Sequence, residues 1–291
     1  LRPHVLLDLL ANFTAYATDK KKRRIKIIAR YQQYEGANKI VERVVAGHAA
    51  DLALLGRDPA PLREIRPPFP RVTYQEAMEI LRGPETRDQL TREIEADQVR
   101  LAGAIRELDE LERQRAAESR TWKQERLEQS IRETRETIHE LEQEVGVKPR
   151  HLELAQNFEW GKDLGGSDET ILSRRQLQPL FVTDYPRSVK AFYMKVHPED
   201  PRLVRNFDLL APEGYGEIIG GSQREEDEAV LRESLAAKGK KAEDYGWYLD
   251  LRRYGSVPHG GFGLGIERTV AWLCGLKHVR ETNAFPRLMG R

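Results

Sequence analysis

The chain has 291 residues, 33% charged and 39% hydrophobic, enough to bury one large core or two smaller ones. Its 48 basic and 47 acidic side chains leave a net charge of +1, which excludes a global field for nucleic acid and confines any RNA contact to local patches. Cys274 is the only cysteine, so an intrachain disulfide and a thiolate metal cluster are excluded and the residue reads as small core. No apolar run reaches membrane-spanning length and no secretory pattern opens the sequence, which makes the cytoplasm the expected compartment.

Residues 1–36 form an unassigned basic segment. Its Lys20-Lys21-Lys22-Arg23-Arg24 run reads first as a solvated charge cluster, with a local RNA contact as the alternative. Thr73 to Leu81 predicts a short amphipathic helix capped by threonine, and Gly83-Pro84 breaks the chain after it. A charged helical segment follows. One apolar stripe holds Leu90, Ile94, Leu101, Ala104, Leu108 and Leu111, with Asp97 at a polar heptad place. A second holds Leu127, Ile131, Ile138, Leu141 and Val145, with Thr134 at the polar place. Such stripes are coiled-coil seams. Thr121-Trp122-Lys123-Gln124 fits a capping box that would start a returning helix, and Gly146 would stop it. The expectation over 84–148 is an antiparallel helical hairpin. From Asp88 to Val145 there are 10 basic and 16 acidic residues, net −6, which disfavours an RNA-gripping arm and favours a solvated arm that packs on itself or on a protein.

In the C-terminal half, Ala211-Pro212-Glu213-Gly214 suits a type I turn. A hairpin closed there would pair Leu210 with Tyr215, Leu209 with Gly216 and Asp208 with Glu217. Opposed carboxylates destabilise a sheet unless a cation lies between them. Magnesium suits such a site, because it is commonly held by one or two carboxylates plus substrate phosphates. A slipped register, with one acid in solvent, is the alternative.

Further on, Pro258-His259-Gly260-Gly261-Phe262-Gly263-Leu264-Gly265-Ile266-Glu267-Arg268 suggests a nucleotide site. On a strand, Gly261, Gly263 and Gly265 would share one face and admit a flat or phosphorylated ligand close to the backbone, and Arg268 would offer phosphate a guanidinium fork. The spacing is not the GxGxxG of a dinucleotide fold. Tight packing of a glycine strand is the alternative reading.

The order of Phe181 to Met194, Phe207-Asp208-Leu209-Leu210, Gly216 to Arg224, Trp247 to Gly255, the glycine motif and Ala284-Phe285-Pro286-Arg287 resembles the C-terminal half of class II aminoacyl-tRNA synthetases of the asparaginyl branch. The resemblance covers roughly 158–288 and, more weakly, 37–81. It implies an α+β fold, a class II synthetase-type antiparallel sheet flanked by helices, into which the helical hairpin is inserted. Residues 37–83 would be a helical part of the catalytic domain and 149–291 its C-terminal part.

The resemblance also implies roles. Asp208 and Glu217 would bind the magnesium that accompanies ATP. Gly261, Gly263, Gly265, Glu217 and Arg268 would bind ATP, with Arg268 the catalytic group. Arg224 would read the amino-acid side chain, and Tyr193 and His259 are weaker candidates for that pocket. Taken alone, Arg224 reads as a surface arginine before the acidic run Glu225 to Glu228. The implied reaction is activation of asparagine with ATP and transfer to tRNA(Asn), in a homodimer by family analogy. The family's dimer helix, its arginine-containing strand-loop-strand and its anticodon barrel find no match here, and Leu1 in place of methionine is compatible with a fragment. A paralogue that makes asparagine from aspartate and a non-catalytic binding protein remain open readings.

Overall fold

A computed structural model describes residues 14–18, 24–28, 41, 44–283 and 285. In chain order the elements are β1 (Thr14–Thr18), β2 (Arg24–Ile28), α1 (Ala49–Leu54), α2 (Ala60–Arg63), β3 (Arg71–Thr73), α3 (Tyr74–Arg82), α4 (Pro84–Ala117), α5 (Thr121–Gln156), α6 (Gly166–Arg174), β4 (Leu180–Thr183), β5 (Asn206–Ala211), β6 (Gly216–Gln223), α7 (Glu228–Ala237), α8 (Gly246–Arg253), β7 (Gly260–Leu264) and α9 (Ile266–Cys274). The chain divides into two compact units, residues 1–74 with 172–291, and residues 75–171. Within the unassigned N-terminal segment β1 pairs antiparallel with β2. The basic run, apart from Arg24, lies outside the described residues, as does most of the Ala284–Arg287 motif.

The first unit is built on a five-stranded sheet in the order β3-β4-β5-β6-β7. β4 to β7 are mutually antiparallel, but β3 runs parallel to β4, so the expected antiparallel sheet is a mixed one. Parallel neighbours need a long crossover, and residues 74–179 supply it. One sheet face buries Leu209, Ala211 and Ile218 with Trp272 and Leu273 of α9, Leu52 of α1 and Leu62 of α2. Each fully buried leucine contributes about 1.5–3 kcal/mol. Cys274 packs half-buried against this core, where burial pushes its thiol pKa up, against any nucleophilic role. A satellite core of Leu231, Leu235 and Leu249 takes in Phe192, Tyr193, Tyr245 and Tyr248.

The β5–β6 hairpin departs from the expected register. Glu213, Gly214 and Gly216 have φ of 64°, 90° and 73°, so the turn is wider than a type I turn at 211–214. Ala211 pairs with Gly216 and Leu210 with Glu217; a bulge follows, after which Leu209 pairs with Ile219 and Asp208 with Gly220. Asp208 and Glu217 are therefore not directly opposed. The offset at the turn is two residues, and an even shift keeps every side chain on its expected face. The bulge then sends both Ile218 and Ile219 into the core and puts a glycine beside Asp208.

In the second unit α4 and α5 run antiparallel, each about 50 Å long at ~1.5 Å per residue. Ion pairs join Arg115 to Glu128, Glu112 to Arg135 and Asp97 to Lys148, so the pairing tracks in opposite senses along the two helices. Leu90, Ala104, Ile131 and Leu141 of the expected stripes are buried. Two local expectations fail. Arg120, not Thr121, precedes the first helical residue and offers no side-chain cap. Glu118 organises the turn instead, accepting from the amides of Ser119 and Arg120 at 3.1 Å and from the Arg120 guanidinium at 3.0 Å. The Arg120 guanidinium and the Arg120 amide, with Lys123 nearby, hold the Glu118 carboxyl at about 2.

Nor does Gly146 stop α5, which continues through Pro149 to Gln156. The first turns of α4 still need covering beyond Gly146: Lys148 reaches Asp97, and Gln156 Nε2 donates to the Leu81 carbonyl at 3.1 Å. Asp97 is only 4% exposed. Burial pushes its carboxyl up, and Lys148 and Arg100 outweigh that and hold it below the ordinary range.

Candidate functional site

The second face of the sheet carries the polar residues. Strand alternation and the observed pairing put Asp208, Gly220 and Gly263 in one row across β5, β6 and β7, and Asn206, Ser222 and Gly261 in the next. Glu217 shares the face through Leu210. The two carboxylates converge above Gly220: a Cβ there would lie 2.5 Å from Glu217 Oε1 and 3.3 Å from Asp208 Oδ1. A methyl there would have to displace the Glu217 carboxylate. Like charges gathered in this way repel each other, and a cation beside them offsets that repulsion.

Among the described residues no group of three or more His, Cys, Asp or Glu could hold a metal ion. A closed all-protein cage is therefore absent among them. Two carboxylates over a glycine fit the other kind of site, in which magnesium keeps waters and takes its remaining ligands from phosphate. Lys190 Nζ lies 2.9 Å from Asp208 Oδ2, so this carboxylate already attracts positive charge.

Arg268, in the first turn of α9, donates from Nη1 to the Glu217 carbonyl at 2.8 Å. This bond brings its exposed guanidinium beside the carboxylate pair. The Gly265 amide donates to the Ile218 carbonyl at 2.8 Å, which anchors the start of α9 on β6. Gly265 itself is the N-cap of that helix, with φ −75° and ψ 100°, and not a third strand glycine. The glycine floor is Gly261 and Gly263 with Gly220. A Cβ at Gly263 would meet nothing within 4 Å, so the floor opens to ligand there.

Arg224, Tyr193 and His259 come together at the other end of the row. The Arg224 guanidinium carbon lies 4.4 Å from the Tyr193 ring centroid, its Nη1 donates to Ser222 Oγ at 3.0 Å, and a Cβ on Gly261 would sit 2.7 Å from its Nη2. The Arg224 amide donates to the His259 carbonyl at 2.9 Å. Arg224 is thus a stacked, hydrogen-bonded group on the sheet, not a surface arginine. His259 donates from Nδ1 to the Val257 carbonyl at 2.8 Å, which leaves Nε2 an acceptor facing Arg252 Nη2 at 3.5 Å. Arg252 is itself buried, bonded to the Glu225 carbonyl at 3.0 Å and the Tyr248 hydroxyl at 2.7 Å.

Sequence reasoning missed Lys190, Ser222, Asn206 and Arg252. Ser222 was within reach, because Gly220, Ser222 and Arg224 alternate and share a face. Asn206 is 4% exposed, and its Nδ2 lacks a hydrogen-bond partner among the described residues. Lys190 sits in a loop, where no periodicity marks it.

The family model of class II tRNA synthetases (D, K and N) matches residues 24–289, and the chain belongs to that family. It is 42% identical over 252 residues to the asparagine–tRNA ligase of Sorangium cellulosum, across 87% of this chain and 44% of the relative. The crystal structure of asparaginyl-tRNA synthetase from Pyrococcus horikoshii superposes with a TM-score of 0.61 at 36% identity, covering 89% of this chain and 45% of that one. The same enzyme complexed with asparaginyl-adenylate gives 0.58 at 37% identity, covering 86% and 42%. The chain spans less than half the length of these relatives.

Proposed function

We propose that this chain carries the asparagine- and ATP-binding floor of an asparagine–tRNA ligase: it activates asparagine to an enzyme-bound adenylate and passes it to tRNA(Asn). One observation carries the reading. Arg224, stacked on Tyr193, lies on the same sheet face as the Asp208–Glu217 pair and the open glycines, so an amino-acid subsite adjoins a phosphate subsite.

In this arrangement Arg224 donates to the side-chain amide oxygen of asparagine, and Tyr193 walls the side chain. The amino-acid carboxylate attacks the α-phosphorus in line; a new C–O–P bond forms, and the bond to the bridging oxygen breaks with its electron pair leaving on pyrophosphate. No general base is needed, because the attacking carboxylate is already ionised. Catalysis is positioning and charge stabilisation. Arg268 supplies fixed donors toward the phosphates, and Gly263 admits the nucleotide to the backbone. Asp208 and Glu217 would hold magnesium, which when bound neutralises phosphate charge. A guanidinium alone favours the carboxylate of aspartate over an amide, so preference for asparagine is the demanding part of the proposal.

The division of the chain into two units supports reading the helical hairpin as an insert between β3 and β4. Dimerisation and a cytoplasmic setting are proposed by family analogy, and no helix among the described residues is long and apolar enough to cross a membrane. The test is ATP–pyrophosphate exchange with asparagine, with aspartate and without amino acid. Asparagine-dependent exchange that falls by about 10²–10³ in Arg268→Ala supports the proposal; exchange driven by aspartate alone, or none, rejects it.

A further inference from the structure

The Asp208 carboxylate carries a cation of the chain's own. Lys190, in the loop between β4 and β5, donates from Nζ to Asp208 Oδ2 at 2.9 Å, and the two side chains are only 13% and 11% exposed. The same ammonium lies 3.9 Å from the centroid of the Tyr185 ring. Tyr185 is fully buried, and its backbone N–H donates to Asn206 Oδ1 at 2.9 Å. The lysine is therefore held between a carboxylate and an aromatic face that is itself fixed in place. Asp208 divides its two oxygens: Oδ2 faces Lys190, and Oδ1 leans with Glu217 over Gly220.

We propose that Lys190 is the resident counter-ion of the Asp208–Glu217 pair, and that it makes binding of a divalent cation there depend on nucleotide. The proposal rests on assigning that pair to magnesium. Two acids gathered over one glycine repel each other, and in the nucleotide-free protein the ammonium offsets this repulsion at Asp208, with the Arg268 guanidinium beside Glu217. Once a divalent ion enters, the same ammonium becomes a like charge a few ångströms away and opposes it. The charge balance then favours the ion only when a triphosphate arrives and brings negative charge to the floor. Lysine suits the role: a compact ammonium on a flexible stem donates to one oxygen and leaves the other, where the planar fork of arginine would take both. Lys190 acts through Asp208 and is a positioning residue, not a catalytic one.

The test is a Mn2+ titration of the nucleotide-free protein, following the electron paramagnetic resonance signal of the free ion, on the parent chain, Lys190→Met, Lys190→Arg and the double variant Lys190→Met with Asp208→Asn. Lys190→Met should bind Mn2+ about tenfold more tightly than the parent, because the opposing charge is gone. Lys190→Arg should bind no more tightly than the parent, because the opposing charge remains and the fork takes both Asp208 oxygens, and the double variant should lose the gain. An increase in affinity cannot arise from misfolding. Equal or weaker binding by Lys190→Met, where Asp208→Asn still abolishes it, overturns the role of the lysine and leaves the metal assignment standing. Absence of binding in every variant overturns both.

Discussion

The five-stranded sheet and the helical hairpin handle charge in different ways. In the hairpin the acid and its base are both satisfied within the unit: Asp97 is clasped by Lys148 and Arg100, and Lys148 also bonds Glu144 at 2.8 Å. On the sheet, Asp208 and Glu217 share the space above a glycine, and Arg224 and Arg268 present guanidinium groups to the same face. A closed network fixes register and can be replaced by apolar packing; on the sheet the two acids crowd together although Lys190 offsets Asp208, and in the proposed function a ligand relieves the crowding that remains.

The largest effect is expected where the closed network is opened. Lys148→Met should destabilise the hairpin by about 2 kcal/mol, since it leaves a buried carboxylate with Arg100 as its one remaining cationic partner, and adding Asp97→Leu should restore most of that loss. Thermal melts followed by circular dichroism measure both, and a double variant as unstable as the single one would contradict a self-contained pair. The sign of the pH dependence follows from the depressed Asp97 carboxyl. Such a group contributes stability above its unfolded value that is lost as pH falls through its folded one. Hairpin stability should be flat above about pH 5 and decline below about pH 4; a melt unchanged from about pH 5 down to about pH 3 would break the comparison.

On the sheet, effects should appear in ligand parameters and not in melting. Arg224→Leu should raise KM for asparagine by about 10- to 100-fold, the cost of a lost charged hydrogen bond, and leave KM for ATP near its starting value. Steady-state exchange kinetics decide this, and equal rises in both would show a structural role instead. The finest test pairs two glycines. Gly220→Ala drives a methyl into Glu217 Oε1 and should abolish metal-dependent nucleotide binding. Gly263→Ala meets no protein atom within 4 Å, so it should fold unchanged and weaken ATP binding by about tenfold, through a clash with ligand alone. Normal nucleotide affinity in Gly263→Ala would remove that residue from the floor.

How much of this was legible varied with the range of the signal. Local spacing gave the two helices of the hairpin, because heptad stripes report a face directly, and it gave the glycine strand that ends at Leu264. The face shared by Asp208 and Glu217 was legible as well, since the error in turn length was an even number of residues. The bulge was not, because it arises where Ile218 and Ile219 both seek the core, and no two-residue alternation encodes that. Gly146 misled because a helix-breaking propensity of about 1 kcal/mol is outweighed by tertiary contacts, here those of Lys148 and Gln156. The stack of Arg224 on Tyr193 depends on residues 31 positions apart, and the sequence marked it only through resemblance.

The most direct measurement is calorimetric titration of the chain with non-hydrolysable asparaginyl- and aspartyl-adenylate analogues, for the parent and for Arg224→Leu. The account predicts a saturable site that prefers the asparaginyl analogue and loses affinity for it in the variant. Equal or tighter binding of the aspartyl analogue, or asparaginyl binding indifferent to Arg224, would contradict it.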